Sequence, residues 1–169
     1  GYPEAFRRKP VRARQWQEQY IRSIIERDIH DISQVKDGDE VGRFLEYMSH
    51  QTAQLLNITE TAKALGHTRA TAEKYLSILE KLYLLRRLPA WHRNVQKRLV
   101  KSPKIHVCDS GLAAALSGTT ETMWMEGRRQ FGHLLESFVV QQIRIQAGRM
   151  ALKTRLWHYR DKDKLEVDC

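Results

Sequence analysis

Three carboxylates near the C-terminal end of the 169-residue chain are the residues whose types and spacing could support hydrolytic chemistry. Glu166 and Asp168 alternate with Leu165 and Val167, so on a strand both acids face one side and both apolar residues the other. Glu136 lies on a preceding helical segment whose apolar stripe would pack near that strand. Grouped acidic oxygens are what metal-assisted hydrolysis in general requires, because hard cations prefer oxygen ligands. The plainer reading is that Glu166 and Asp168 are a strand's polar face. Other catalytic groupings are weaker. His133 beside Glu136 reads as a surface pair, His92 falls in a basic run, and no partner can be assigned to Cys108. Cys108 and Cys169 have no Cys or His neighbour at zinc-finger spacing and read as thiols in a reducing compartment.

A second chemistry, nucleic-acid binding, is written in residues 55–85. Thr59 can open a short helix that carries Ala62 and Leu65 inward, and Gly66 supplies a turn where a residue without Cβ tolerates positive φ. Thr68 can cap a second helix, with Ala72, Leu76, Leu79 and Tyr83 on one face at the helical period. The opposite face offers Arg69, Ala70, Glu73, Lys74 and Ser77, as a recognition helix would to a major groove. The net charge is +9, and residues 86–104 hold seven Lys or Arg and no Asp or Glu. That run sits where the wing of a winged helix belongs, and its cations would neutralise phosphates. The candidate nucleic-acid contacts are therefore His67, Arg69, Lys74, Arg93, Lys97, Arg98 and Lys101. The same trihelical unit also serves as a protein-docking module, and a charge run is often only a solvated face.

The positioning elements follow from periodicity. Residues 1–10, with Pro3 and Pro10, read as an extended segment, because each proline biases its predecessor away from helix. Trp16, Tyr20, Ile24 and Ile25 recur at helical spacing within 11–33, and Lys36 to Asp39 form a turn. Residues 40–56 form an amphipathic helix through Val41, Phe44, Leu45, Met48 and Leu55. Leu84–Trp91 and Lys104–Cys108 are the wing strands, with Pro89 implying an edge. A short apolar helix, Leu112–Leu116, precedes a polar link. A long helix over 130–147 carries Phe131, Leu134, Leu135, Phe138, Val139 and Ile143 as its stripe, and Gly148 can cap it. Leu156–Tyr159 and Leu165–Asp168 form a hairpin. The expected architecture is mainly α: a helical linker over 1–39, a winged helix-turn-helix over 40–116, and the truncated start of an α/β domain over 117–169. No apolar run approaches the ~18 residues of a membrane span, so a cytoplasmic location is expected.

An ordered set of short motifs resembles a family: Gly1-Tyr2-Pro3-Glu4, Trp16, Tyr20, Arg27-Asp28-Ile29, the helix-turn-helix, Lys101-Ser102-Pro103-Lys104, Asp109-Ser110-Gly111-Leu112, Leu135 to Val139, and Glu166-Val167-Asp168. Together they resemble the C-terminal region of unknown function of prokaryotic AAA-type ATPases. The resemblance implies an N-terminal ATPase core, absent here, then a winged helix, then a fold similar to the PD-(D/E)XK nucleases. It makes Gly1 the second of a glycine pair, Asp168 the strand acid and Glu136 the helix acid of a metal site. The Glu-x-Lys expected on the next strand is missing, so the chain alone should be inactive as a nuclease, and Mg²⁺ would enter only if the site were completed. No Gly-x-x-x-x-Gly-Lys-Ser/Thr string is present, so ATP belongs to the missing core and this chain should not bind it. Arg27 and Asp28 read as an exposed helix pair, or as a contact with that core. The expected function is a non-catalytic fragment engaging duplex DNA; the alternatives are protein docking or homo-oligomerisation, and a metal-dependent nuclease at full length.

Overall fold

The computed structural model describes residues 2–32, 38–120, 122, 128–150, 154–161 and 165–169. The expected extended segment over 1–10 is instead helical at its start, with α1 at Pro3–Phe6 and α2 running Pro10–Ile32. Proline at a first helical position loses only an N–H that would be orphaned anyway, and its fixed φ suits the turn. Tyr2 folds back onto α2, its ring 5.7 Å from Trp16 and 4.8 Å from Tyr20. Of the expected turn at 36–39, residues 36 and 37 lie outside the described residues, while Gly38 and Asp39 open α3 (Gly38–His50).

The order from α3 onward is α3, β1 (Gln54–Leu55), α4 (Ile58–Ala64), α5 (Arg69–Lys81), β2 (Leu85–Leu88), α6 (Val95–Val100), β3 (Lys104–Val107) and α7 (Ser110–Leu116). The strands form an antiparallel sheet in the order β1-β3-β2, with Leu85 opposite Val107 and Leu88 opposite Lys104. Three helices closed by this small sheet constitute a winged helix. Val41 and Phe44 of α3 and Ala72, Leu76 and Leu79 of α5 have no exposed surface, and Ile105, Val107 and Leu112 close the core from the sheet and α7. Large apolar side chains buried this completely, such as Phe44, Leu76 and Leu79, stabilise the fold by about 1.5–3 kcal/mol each.

Several local expectations are corrected. Asn57, not Thr59, caps α4, its side chain accepting from the Glu60 N–H at 3.2 Å. Thr68 caps α5 as expected, and Gly66 takes φ +71° between the two helices. Tyr83 lies beyond α5 at φ +57° and is 72% exposed, its inward place taken by Tyr75 and Ile78. Leu55 belongs to β1, because α3 ends at His50 and Ala53 turns the chain at φ +61°. Within the basic run, Asn94 caps α6 by accepting from the Lys97 N–H, so the segment between the wing strands contains a helix.

The C-terminal piece comprises α8 (Arg128–Ala147) and the antiparallel pair β4 (Tyr159–Arg160) and β5 (Glu166–Val167). The expected apolar stripe of α8 seats only in part, through Leu134. Leu135, Phe138, Val139 and Ile143 stay exposed, whereas Leu134, Ser137 and Val140 are buried. Beside Leu134, the polar side chains Lys104 and His106 of β3 meet Glu136 and Ser137 of α8. Close by, His158 donates its backbone N–H to the Pro89 carbonyl and accepts from the Trp91 N–H, tying this piece to the end of β2.

Candidate nucleic-acid interface and a buried lysine cluster

The recognition helix α5 begins with Arg69 and Ala70 exposed, followed one turn on by exposed Lys74. Its acids are engaged elsewhere: Arg87 of β2 lies 3.4 Å from Glu73 and 3.2 Å from Glu80. These groups are partly exposed, so the pairs add little stability. They do remove the repulsion that Glu73 would present to a phosphate. His67 stands apart from the exposed face, its Nε2 2.8 Å from Glu40 and its ring edge-on to Tyr75.

The arm between β2 and β3 divides its cations. Arg93 and Lys97 are exposed. Arg98 donates to the His92 carbonyl and lies across two indoles, 5.9 Å from the Trp91 centroid and 5.2 Å from Trp157. Lys101 donates to the Arg160 carbonyl at 3.2 Å. Of the seven sequence candidates, Arg69, Lys74, Arg93 and Lys97 are thus open to solvent, while His67, Arg98 and Lys101 hold the fold.

The strongest electrostatic feature is Lys104, which composition placed within the basic run. Its side chain is only 3% exposed, and its Nζ lies 2.8 Å from Glu136, 2.7 Å from Glu166 and 2.7 Å from Asp168. Burial alone would lower the lysine's pKa, but hydrogen bonds to Asp168, Glu136 and Glu166 more than offset it and raise it. Glu136 is raised rather than lowered, because burial and the neighbouring Asp168 and Glu166 outweigh its bond to Lys104. The three acids singled out in the sequence do converge, as the alternation of Glu166 and Asp168 requires. Lys104 was the residue missed. Its signal was faint: on the strand Lys-Ile-His-Val, Lys104 and His106 share one face, opposite Ile105 and Val107.

His106 continues that face. Its Nδ1 is 2.9 Å from Ser137 Oγ, which is 2.8 Å from Thr52 Oγ1, and the Thr52 hydroxyl accepts from the Val107 N–H. Burial, then the charge of Lys104, lowers the His106 pKa to about 4, so the ring is neutral. The Nε2 of His106 and the Nδ1 of His158 are buried without a hydrogen-bond partner.

A cleft of about 420 Å³ opens over the cluster, lined by Gln54, Arg129, His133 and Arg160 as well as the acids. The oxygens present are of the kind Mg²⁺ takes, yet their focus is filled by the Lys104 ammonium. Among the described residues no group of three or more His, Cys, Asp or Glu side chains is arranged to hold a metal ion. As folded, the site does not fit Mg²⁺; Lys104 is its cation.

The transcription regulator MepR of Staphylococcus aureus resembles this chain at 20% identity, with a TM-score of 0.35 over 79% of this chain and 91% of MepR. Its ethidium-bound form gives 0.34 at 19% identity. A likeness that distant carries no functional weight. Uncharacterized proteins Mb2031c of Mycobacterium bovis and Rv2008c of Mycobacterium tuberculosis are each 28% identical over 153 residues, which is 90% of this chain but 34% of either relative. The chain therefore spans about a third of the relatives it matches. Residues 131–169, which supply Glu136, Glu166 and Asp168, match a second domain of unknown function, DUF4143, consistent with an ATPase-associated region. Residues 1–123, from Tyr2 through the winged helix to the end of α7, match the domain of unknown function DUF8612, and the chain belongs to that family.

Proposed function

We propose that this chain is a non-catalytic module that engages duplex nucleic acid through its winged helix on behalf of a larger protein. One observation carries the reading: α5 opens with exposed Arg69 and Lys74, its own acids are drawn to Arg87, and the following arm adds exposed Arg93 and Lys97. Cations so placed bind the phosphate backbone, giving affinity with little sequence preference and a steep dependence on salt. The larger protein, on the family resemblance, supplies an AAA-type ATPase core that handles ATP. The location is then cytoplasmic; no described helix is long and apolar enough to cross a membrane.

The test is a fluorescence-anisotropy titration of a short duplex at several salt concentrations. Each of Arg69, Lys74, Arg93 and Lys97 removed should lower the slope of log K against log salt by about one. Unchanged binding by the variant with all four replaced by Gln would move the reading to protein docking or self-association. That alternative has its own support in the exposed Leu135, Phe138 and Val139 of α8. A nuclease reading for the full-length protein requires Lys104 to leave its three acids. For this chain, plasmid DNA incubated with Mg²⁺ or Mn²⁺ should remain uncut.

A further inference from the structure

The end of α8, the end of β2 and the segment leading into β4 enclose a cleft of about 390 Å³. Its walls include Arg87, Arg144 and Arg155, its apolar lining Pro89, Leu156 and Trp157, and no Asp or Glu is among the described residues that line it. The volume lies in the ~300–1,000 Å³ range of small-ligand sites. Arg87 is already paired with Glu73 and Glu80, but its Nε is buried without a partner. No carboxylate among the described residues pairs with Arg144; burial, then the charge of Arg86, lowers its pKa. A guanidinium without a carboxylate partner is open to an anion, and its planar fork matches a phosphate in bidentate fashion.

The neighbouring aromatic groups narrow the ligand. Trp157 is held by Arg98 across its ring, and Arg98 belongs to α6, the helix that also carries Lys97. The cleft thereby adjoins the basic arm between β2 and β3. Guanidinium groups beside an anchored indole form the combination that binds single-stranded nucleic acid, with phosphates on the cations and a base against the ring. We infer that this cleft binds one nucleotide unit of a single strand, its phosphate on Arg144 and Arg155 and its base against Trp157. The inference rests on the nucleic-acid reading above but assigns a separate surface and a separate form of nucleic acid.

The experiment compares a fluorescein-labelled dT12 oligonucleotide with a short duplex, titrated into the wild-type chain and into Arg144→Gln/Arg155→Gln and Arg155→Gln variants at low salt. Both positions are exposed, so the melting temperature should be unchanged, and Arg155→Gln serves as the milder control. The expected result is at least a tenfold loss of dT12 affinity in the double variant, a smaller loss in the single, and less than a threefold change for duplex. Competition by inorganic phosphate at equal phosphate concentration should be weak. Equal losses on both nucleic acids, full competition by inorganic phosphate, or unchanged dT12 binding would each overturn the inference. Wild-type binding of duplex without dT12 sinks this site alone; binding of dT12 without duplex sinks the winged-helix reading alone.

Discussion

The winged helix and the C-terminal piece are stabilised by different physics. Residues 38–116 close around side chains with no exposed surface, such as Val41, Phe44, Leu76 and Leu79. In α8 and the β4–β5 pair, Leu134 at 8% and Val140 at 7% are the most deeply buried apolar side chains, while Leu135, Phe138, Leu165 and Val167 are open. Beside Leu134, which joins the core of the first region, what seats the second region is polar: Lys104 bound to Glu136, Glu166 and Asp168, and the chain Thr52–Ser137–His106. A hydrophobic core depends on filled volume rather than on direction. A buried lysine depends on particular partners, because removing one side of an ion pair strands the other.

Three substitutions or conditions separate the two modes. Leu76→Ala removes a fully buried side chain from the core and should destabilise the whole chain by about 3–5 kcal/mol. Its signature is one cooperative shift in which every probe moves together. Independent melting of α8 in that variant would show that the winged helix does not organise the C-terminal piece.

Lys104→Met keeps length and apolar character but leaves three carboxylates facing one another. The expected cost is about 3 kcal/mol, in line with breaking a buried ion pair. It should fall selectively on α8 and β4–β5, read as faster amide exchange there with protection kept in α3 and α5. Uniform loss of protection would erase the distinction between the regions.

Acid should act more gently and on the same seam. His106 has a folded pKa of about 4 against an ordinary 6.5, so between those values the unfolded chain binds a proton that the folded one refuses. Stability then rises with pH across that window and is lost as pH falls through it, by at most about 3 kcal/mol. Glu136 partly opposes the trend, because its raised pKa lets the folded state take up a proton. His106→Gln should flatten the profile between pH 6.5 and 4. A slope unchanged in that variant would place the acid sensitivity elsewhere.

Much of the first region was legible in the sequence and little of the second. Thr68, Gly66 and the Ala72–Leu76–Leu79 spacing state the helix-turn-helix locally, since caps, turns and periodic burial need only near neighbours. Tyr83 misled because it continues the spacing after the helix has ended. The alternation of Glu166 and Asp168 correctly put both acids on one side, and Glu136 was expected near them. Which face of α8 would seat was only partly legible, because Leu134 of the periodic stripe is buried while the rest of the seated side adds Glu136, Ser137 and Val140.

The sequence by itself determined the winged helix, the exposed basic start of α5 and the basic arm, because these depend on residue type and short-range spacing. Only the tertiary structure decided which cations stay free. Lys104 and Lys101 carry the same formal charge as Lys74 and Lys97, yet contacts 32, 59 and 64 residues away in the chain bind the first two to acids or a carbonyl. Desolvation and pairing are properties of three-dimensional surroundings, and they turned a lysine that composition assigns to phosphate into the buried cation joining two regions of the molecule.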